Sequence, residues 1–321
     1  MAEVGLVLGG GGVAGQAYHA GVLSALEHDF GWDPRDAKVI VGTSAGSIVA
    51  TLLRSGVAAS ELAAWTVRAS TWVQSDMLVE LFGERIPELE PLRFSDLLRP
   101  PSVPSRALLR RALLRPWKFR PSSALLTLLA PGRFDITEHL APLREVEGSG
   151  WPDRGLWITA VRRRDGRRVV FGRPGAPRVP LHLAVAASCA IPGYFAPVEI
   201  DGRQYVDGGV HSPTNAAILA HQDLDLVVVV SPMSGLAPPT DPMGLVRRHA
   251  GRRLAREVAA LRRSGHAVVV FEPGPAEQAV MGRDFLSRDS VDHVVRESFL
   301  GAGAYAARDG IRRQLTAIAH R

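Results

Sequence analysis

Between a β-branched run and an apolar run, the chain carries Gly42-Thr43-Ser44-Ala45-Gly46. Residues 38–41 read as a buried strand and residues 47–53 as a helix, so the pentapeptide is a strand-to-helix turn. Gly42 and Gly46 give clearance for a serine on a strained backbone, and the positive end of the helix lies behind its hydroxyl. The same grammar occurs once earlier. Residues 3–8 read as a short buried strand and residues 9–12 as a glycine loop; residues 15–28 carry Ala17, Ala20, Val22, Leu23 and Leu26 at helical spacing. Two strand–loop–helix units in succession point the chain to an α/β fold, a mixed or mostly parallel sheet with helices on both faces.

The remaining pattern extends this frame. A helix over 60–73 is capped by Ser60. Asp165-Gly166 and Asp201-Gly202 each sit between short alternating runs and predict two hairpins, 156–161 with 168–171 and 198–200 with 204–206. Residues 226–230 and 267–271 read as core strands, and 214–220, 243–263 and 291–319 as helices. Between about 84 and 135 the composition changes: prolines cluster around short helical pieces at 106–114 and 124–129, which reads as a helical cap inserted into a single domain spanning 1–321. The segment from about 243 to 321 is C-terminal and helical.

Three motifs bear on chemistry. In its strand–turn–helix setting Ser44 reads as a nucleophile rather than a capping serine. Gly9-Gly10-Gly11-Gly12-Val13-Ala14-Gly15 exposes bare backbone N–H groups at a helix N-terminus, a binding place for a phosphate or for the oxyanion of a tetrahedral intermediate. Gly10, Gly12 and Gly15 also satisfy G-x-G-x-x-G. A dinucleotide site, however, expects an acid closing the second strand, and Asp33 and Asp36 precede that strand. The third motif, Asp207-Gly208-Gly209, ends a hairpin strand and taken alone reads as a turn. A serine on such an elbow needs a base. His211, four residues past Asp207, is one option; a carboxylate taking the proton directly is the other.

The glycine loop, the G-T-S-A-G pentapeptide and Asp207-Gly208-Gly209, in this order and spacing, resemble the patatin-like phospholipases. A fourth stretch agrees: Ala187-Ser188-Cys189-Ala190-Ile191-Pro192-Gly193-Tyr194-Phe195-Ala196-Pro197 is similar to that family's A-S-x-A-I-P-x-x-F-x-P segment. The resemblance covers roughly residues 4–230. It implies a three-layer α/β/α sandwich and a serine–aspartate pair, with Ser44 as nucleophile and Asp207 as base. The amides of Gly10, Gly11 and Gly12 would form the oxyanion hole. It also implies cleavage of acyl esters of phospholipids, lysophospholipids or neutral lipids, with no metal and no organic cofactor. One position departs: the family usually has Arg or Lys where this chain has Ala14, which puts rate and head-group preference in question more than reaction class. An acyltransferase on the same pair, and a non-catalytic lipid- or nucleotide-binding protein, are the alternatives.

Composition constrains partners and location. The single cysteine, Cys189, lies in an apolar run, reads as a small buried hydrophobe and excludes an intramolecular disulfide or a cysteine zinc site. No apolar run reaches the length of a membrane span, and the N-terminus lacks a signal-peptide pattern, so the expected location is cytoplasmic. The net charge of +6 is uneven. Eight basic residues and no acid lie between Leu97 and Phe134, so the rest of the chain is about −2, from +6 minus +8. Over 99–120 these residues interleave with leucines and Trp117. That suits peripheral contact with an anionic membrane surface, or equally a solvated helix face; nothing resembles a nucleic-acid module. Arginine greatly outnumbers lysine, which appears only at Lys38 and Lys118, and this points to a GC-rich bacterial genome.

Overall fold

The computed structural model describes residues 2–67, 78, 129–146, 150–235 and 242–319. The β-branched runs become β1 (Val4–Leu8) and β2 (Val39–Thr43), and every residue of both is buried. Central parallel strands are covered on two faces, which is why these runs show no polar alternation. Helix α1 (Gly12–Phe30) joins them; α2 (Ala45–Arg54) and α3 (Ala59–Val67) follow β2. Two short helices come next, α4 (Ile136–His139) and α5 (Leu143–Val146). The first hairpin is β3 (Gly155–Arg162) with β4 (Arg167–Phe171), followed by α6 (Leu181–Cys189). The second hairpin is β5 (Val198–Ile200) with β6 (Arg203–Asp207). The described order closes with β7 (Leu226–Val230), α7 (Pro242–Arg263), β8 (Ala267–Phe271), α8 (Pro275–Met281), α9 (Val291–Ala306) and α10 (Asp309–Ala319).

One sheet runs β5-β6-β3-β2-β1-β7-β8, with β4 paired to β3. From β3 to β8 the neighbours on this path are parallel, and β4 and β6 are antiparallel to β3. Alternate residues of each strand face opposite layers. Leu6, Leu8, Ile40, Ile158 and Val228 pack with residues of α1, α2, α6 and α9. Val7, Val41, Trp157, Val227 and Val229 pack with Leu254, Val258 and Leu261 of α7. The result is the three-layer α/β/α arrangement with a mostly parallel sheet. Helix α1 is buried along most of its length because α9 lies across it. A Cβ on Gly21 would stand 2.0 Å from Ser298 Oγ, so only glycine permits this crossing.

Several sequence expectations need correction. The helix expected over 60–73 begins at Ala59, and the Ser60 N–H is taken by Glu27 Oε2 at 2.8 Å. The capping is done by Glu61, whose Oε2 accepts the Ala58 N–H at 2.7 Å, one half of a capping box. The helix expected over 291–319 is two, parted at Ala307 and Arg308, where Asp309-Gly310 supplies two weak helix formers. Residues 214–220 hold only a 3-10 turn at Ala216–Leu219, entered through Asn215 in the left-handed region. Helix α6 escaped the periodicity reading because it is apolar nearly all round and buried on several sides. At the tip of the first hairpin, Arg162 pairs with Asp165 at 2.6 Å and Arg163 NH1 donates to Gln204 Oε1 at 3.0 Å. Of the tryptophans, Trp65 and Trp157 are core and Trp151 is half-buried, while Trp72 lies outside the described residues. The cap helix expected at 106–114, residues 124–128 of the one expected at 124–129, and the basic stretch 99–120 lie outside them too.

Candidate active site

Register puts Ser44 against Asp207. Strand β3 pairs with β2 from Gly155 to Thr159, with β6 from Ala160 to Arg162, and with β4 from Ile158 to Arg162. Since β4 shares partners with both, it owns one edge of β3, and β2 and β6 divide the other. Strand β2 ends at Thr43 opposite Thr159; β6, arriving from the opposite direction, ends at Asp207 opposite Ala160. The two strands abut end to end, and the residues at their tips come together.

Ser44 has φ 51 and ψ −126, one of three non-glycine residues at positive φ among those described. Such a backbone is strained and persists only when its surroundings dictate it. Gly46 is one such constraint: a Cβ there would stand 2.1 Å from Leu8 O, so α2 starts directly against the end of β1. The Ser44 N–H donates to Ser188 Oγ at 2.9 Å, and that hydroxyl donates to Thr159 O at 2.7 Å. The Ser44 carbonyl accepts from Ser47 Oγ at 2.6 Å and Ser47 N–H at 2.7 Å. The backbone of the elbow is thereby held from both sides, and the hydroxyl lies beside Asp207.

Asp207 is 5% exposed. Burial pushes its carboxyl up from 3.8 to about 6, while the Ser44 hydroxyl and the Gly209 N–H stabilise the ionised form and limit the rise. The Gly209 N–H reaches Oδ1 at 2.6 Å. His211 donates its backbone N–H to Gly208 O, and the group beside the Ser44 hydroxyl is the carboxylate. Asn215, fully buried, holds the neighbourhood together. Its Nδ2 lies 3.2 Å from Thr43 Oγ1, 3.2 Å from Thr159 Oγ1, 3.3 Å from Gly208 O and 2.7 Å from Ser212 O. One amide thus touches the residue before Ser44 and the residue after Asp207.

The glycine loop forms the third wall. A Cβ on Gly10 would stand 3.2 Å from Ser44 Cβ, so the loop passes directly beside the serine. The Gly10 N–H donates to Pro213 O at 2.8 Å and is not available to a ligand. Among the described residues, the N–H groups of Gly11 and Gly12, at the start of α1, and of Ala45, at the start of α2, have no acceptor. Helix N-termini leave such donors open. His19 braces the loop from below: Nε2 lies 2.7 Å from Gly9 O, so it carries the proton, and burial pulls the ring from 6.5 down to about 4. Ala14 is buried, and its N–H donates to Phe285 O at 3.1 Å. The buried Arg247 guanidinium lies 5.0 Å above the Phe285 ring and donates to Pro232 O at 2.9 Å, so a cation stands near this loop although Ala14 supplies none. Asp33 and Asp36 lie at the amino end of β2, away from the loop, which removes the acid a dinucleotide site needs. Cys189 is buried, and burial followed by the Asp207 charge pushes its thiol well above the ordinary range.

The patatin-like phospholipase profile matches residues 6–220. The chain belongs to that family. Relatives include an uncharacterized NTE family protein of Mycobacterium bovis, 27% identical over 260 residues, covering 81% of this chain and 57% of that protein. Uncharacterized NTE family proteins of two Mycobacterium tuberculosis strains match equally. The chain therefore spans little more than half the length of the curated relatives it matches, and these relatives are bacterial. Among solved structures, it is similar to the type III effector protein ExoU (18% identity, TM-score 0.38, 99% of this chain and 54% of that one). It is also similar to VipD from Legionella pneumophila (13% identity, TM-score 0.40, 93% and 67%). Both scores are low, and neither likeness bears on the chemistry. Within the patatin-like site, Ser188, Asn215, Thr159 and His19 are residues that motif reading did not assign. Ser188 lay inside a quoted motif; Asn215 and His19 had no signal beyond their residue type.

Proposed function

We propose that the chain is a serine acyl hydrolase acting on lipid esters through Ser44 and Asp207. The observation that carries this reading is a buried carboxylate, its affinity for protons raised, beside a serine on a strained elbow. A carboxylate of ordinary acidity is a poor base for a hydroxyl; raising it toward neutrality improves the match. In the first half-reaction Ser44 Oγ attacks the ester carbonyl carbon while Asp207 accepts the hydroxyl proton. The developing oxyanion is held by the N–H groups of Gly11 and Gly12, with Ala45 as a third donor. Gly10, its own amide committed to Pro213, shapes the wall beside the serine. Collapse breaks the ester bond, and the leaving alkoxide takes the proton from Asp207. Water then attacks the acyl-serine, again giving a proton to Asp207; this proton returns to Ser44 as the fatty acid leaves. Gly42, Gly46 and Gly208 serve by allowing close backbone approach, Gly209 by giving its N–H to Asp207 and Gly15 by giving its N–H to Gly11 O in the loop, and the whole chain works as one unit.

The test is fluorophosphonate labelling of the purified protein beside Ser44→Ala and Asp207→Ala. Labelling of the wild type alone, together with fatty acid release from lipid esters, is the expected result. A wild type that stays unlabelled in the presence of lipid vesicles, or labelling that survives Ser44→Ala, overturns the assignment.

A further inference from the structure

The two faces of helix α7 differ. Its inner face is accounted for: Leu254, Val258 and Leu261 lie on the sheet, Arg247 is buried against Pro232 and Phe285, and Glu257 accepts from Thr214 Oγ1 and the Ala216 N–H. Glu257 is the only acid in the helix. The outer face has no such account. Leu245 and Val246 are 61% and 46% exposed, two of the four large apolar side chains left open among the described residues. Directly below them Arg248, Arg252 and Arg256 are exposed at a spacing of four, on one stripe of the helix. Among the described residues no carboxylate pairs with any of the three.

The helix has a known direction relative to the site. At its first turns, Arg247 donates to the carbonyl of Pro232, whose ring carbons would meet a Cβ on Gly11 at 2.9 Å. At its far end the chain turns through His266, which contacts the carbonyls of Leu219 and Leu224 near the amino end of β7. Helix α7 therefore runs from the rim of the candidate active site toward the opposite end of the sheet. At 1.5 Å per residue, Arg252 is about 10 Å below Leu245 and Arg263 about 27 Å below.

We propose that the first two turns of α7 are the face on which the protein sits on an anionic phospholipid bilayer. Leu245 and Val246 enter the boundary between head groups and acyl chains, and Arg248 and Arg252 lie at the level of the lipid phosphates. The site rim then faces the lipid it draws from; that orientation rests on the acyl-hydrolase reading above, while the binding itself does not. The aliphatic pair at the tip favours a bilayer over a nucleic acid, whose phosphates offer it nothing to bury against.

The test uses the full chain carrying Ser44→Ala, so that vesicles stay intact, and co-sedimentation with phosphatidylcholine vesicles containing or lacking phosphatidylglycerol. Binding to the anionic vesicles is expected, lowered at least tenfold by Arg248→Glu with Arg252→Glu and severalfold by Leu245→Ser with Val246→Ser. Arg262→Glu with Arg263→Glu makes the same charge change at the far end and is expected to leave binding within twofold. Absence of binding, equal loss from the two charge pairs, or no loss from the first pair overturns the proposal. So does tight binding to duplex DNA through the same arginines. Turnover of a soluble short-chain ester by the wild type reads the chemistry separately: its absence counts against the hydrolase and leaves the vesicle comparison standing.

Discussion

Replacing Asp207 by asparagine removes the proton acceptor and, with it, a cost that the folded chain carries at neutral pH. In the folded state the carboxyl is raised from 3.8 to about 6 by burial. Below pH 4 the group is protonated whether the chain is folded or not, and it contributes nothing to pH dependence. Between 4 and 6 the unfolded chain ionises while the folded chain keeps its proton, so the wild type loses stability as pH rises. The shift of about two units corresponds to about 3 kcal/mol, fully lost above pH 6. His19 works in the opposite direction over the same window. Its folded value falls from 6.5 to about 4, so stability is lost as pH drops. The two slopes nearly cancel in the wild type and separate only by comparison. Urea unfolding of wild type and Asp207→Asn from pH 4 to pH 7 is the assay. The difference between them should move in favour of the asparagine variant by about 3 kcal/mol across that range, while fluorophosphonate labelling is lost. A difference that stays flat, or moves the other way, refutes the claim that a desolvated carboxylate stands beside Ser44.

Other consequences can be measured alongside. The acid limb of kcat/KM for ester hydrolysis should have an apparent pKa near 6, read from a pH–rate profile. Ser188→Ala leaves the Ser44 N–H and the Thr159 carbonyl without their shared hydroxyl; it should cost about 1–3 kcal/mol in urea unfolding and slow labelling more than tenfold. Gly46→Ala drives a methyl into the Leu8 carbonyl and should yield no folded protein by circular dichroism, whereas Gly10→Ala, which meets Ser44 Cβ at 3.2 Å, should fold and label slowly. His19→Gln keeps a donor for Gly9 O and should gain stability relative to the wild type as pH falls from 6.5 to 4, read by urea unfolding of the pair.

The sheet was legible because its central strands are short runs rich in β-branched residues, and both hairpins announced themselves through Asp-Gly. The helices were less so wherever tertiary contacts override local signals. Helix α6 is buried on several sides and shows no stripe, and the break at Ala307 and Arg308 lies within a continuous helical pattern. Ser44 and Asp207 could be named because each sits in a glycine-flanked strand end. The bonds that hold them could not. Ser188, Thr159 and Asn215 act across sequence separations of 29 to 172 residues, and nothing local marks a side chain whose only task is to satisfy a distant amide. The commitment of the Gly10 amide to Pro213 was equally hidden, since a run of glycines looks alike to a reader of sequence.

Strands β2 and β6 are each aligned to β3 and not to one another. The spacing between serine and carboxylate is therefore a property of a third strand, much as two rulers read the same when laid on one edge. Beyond α3, the chain that leads on to Gly155 can lengthen or shorten without altering that spacing. A slip of one residue in either pairing, by contrast, turns the tip side chain to the opposite face of the sheet. Variation among relatives should accordingly concentrate in the intervening segment, and deletions within β3 should be the ones that no compensating change elsewhere repairs.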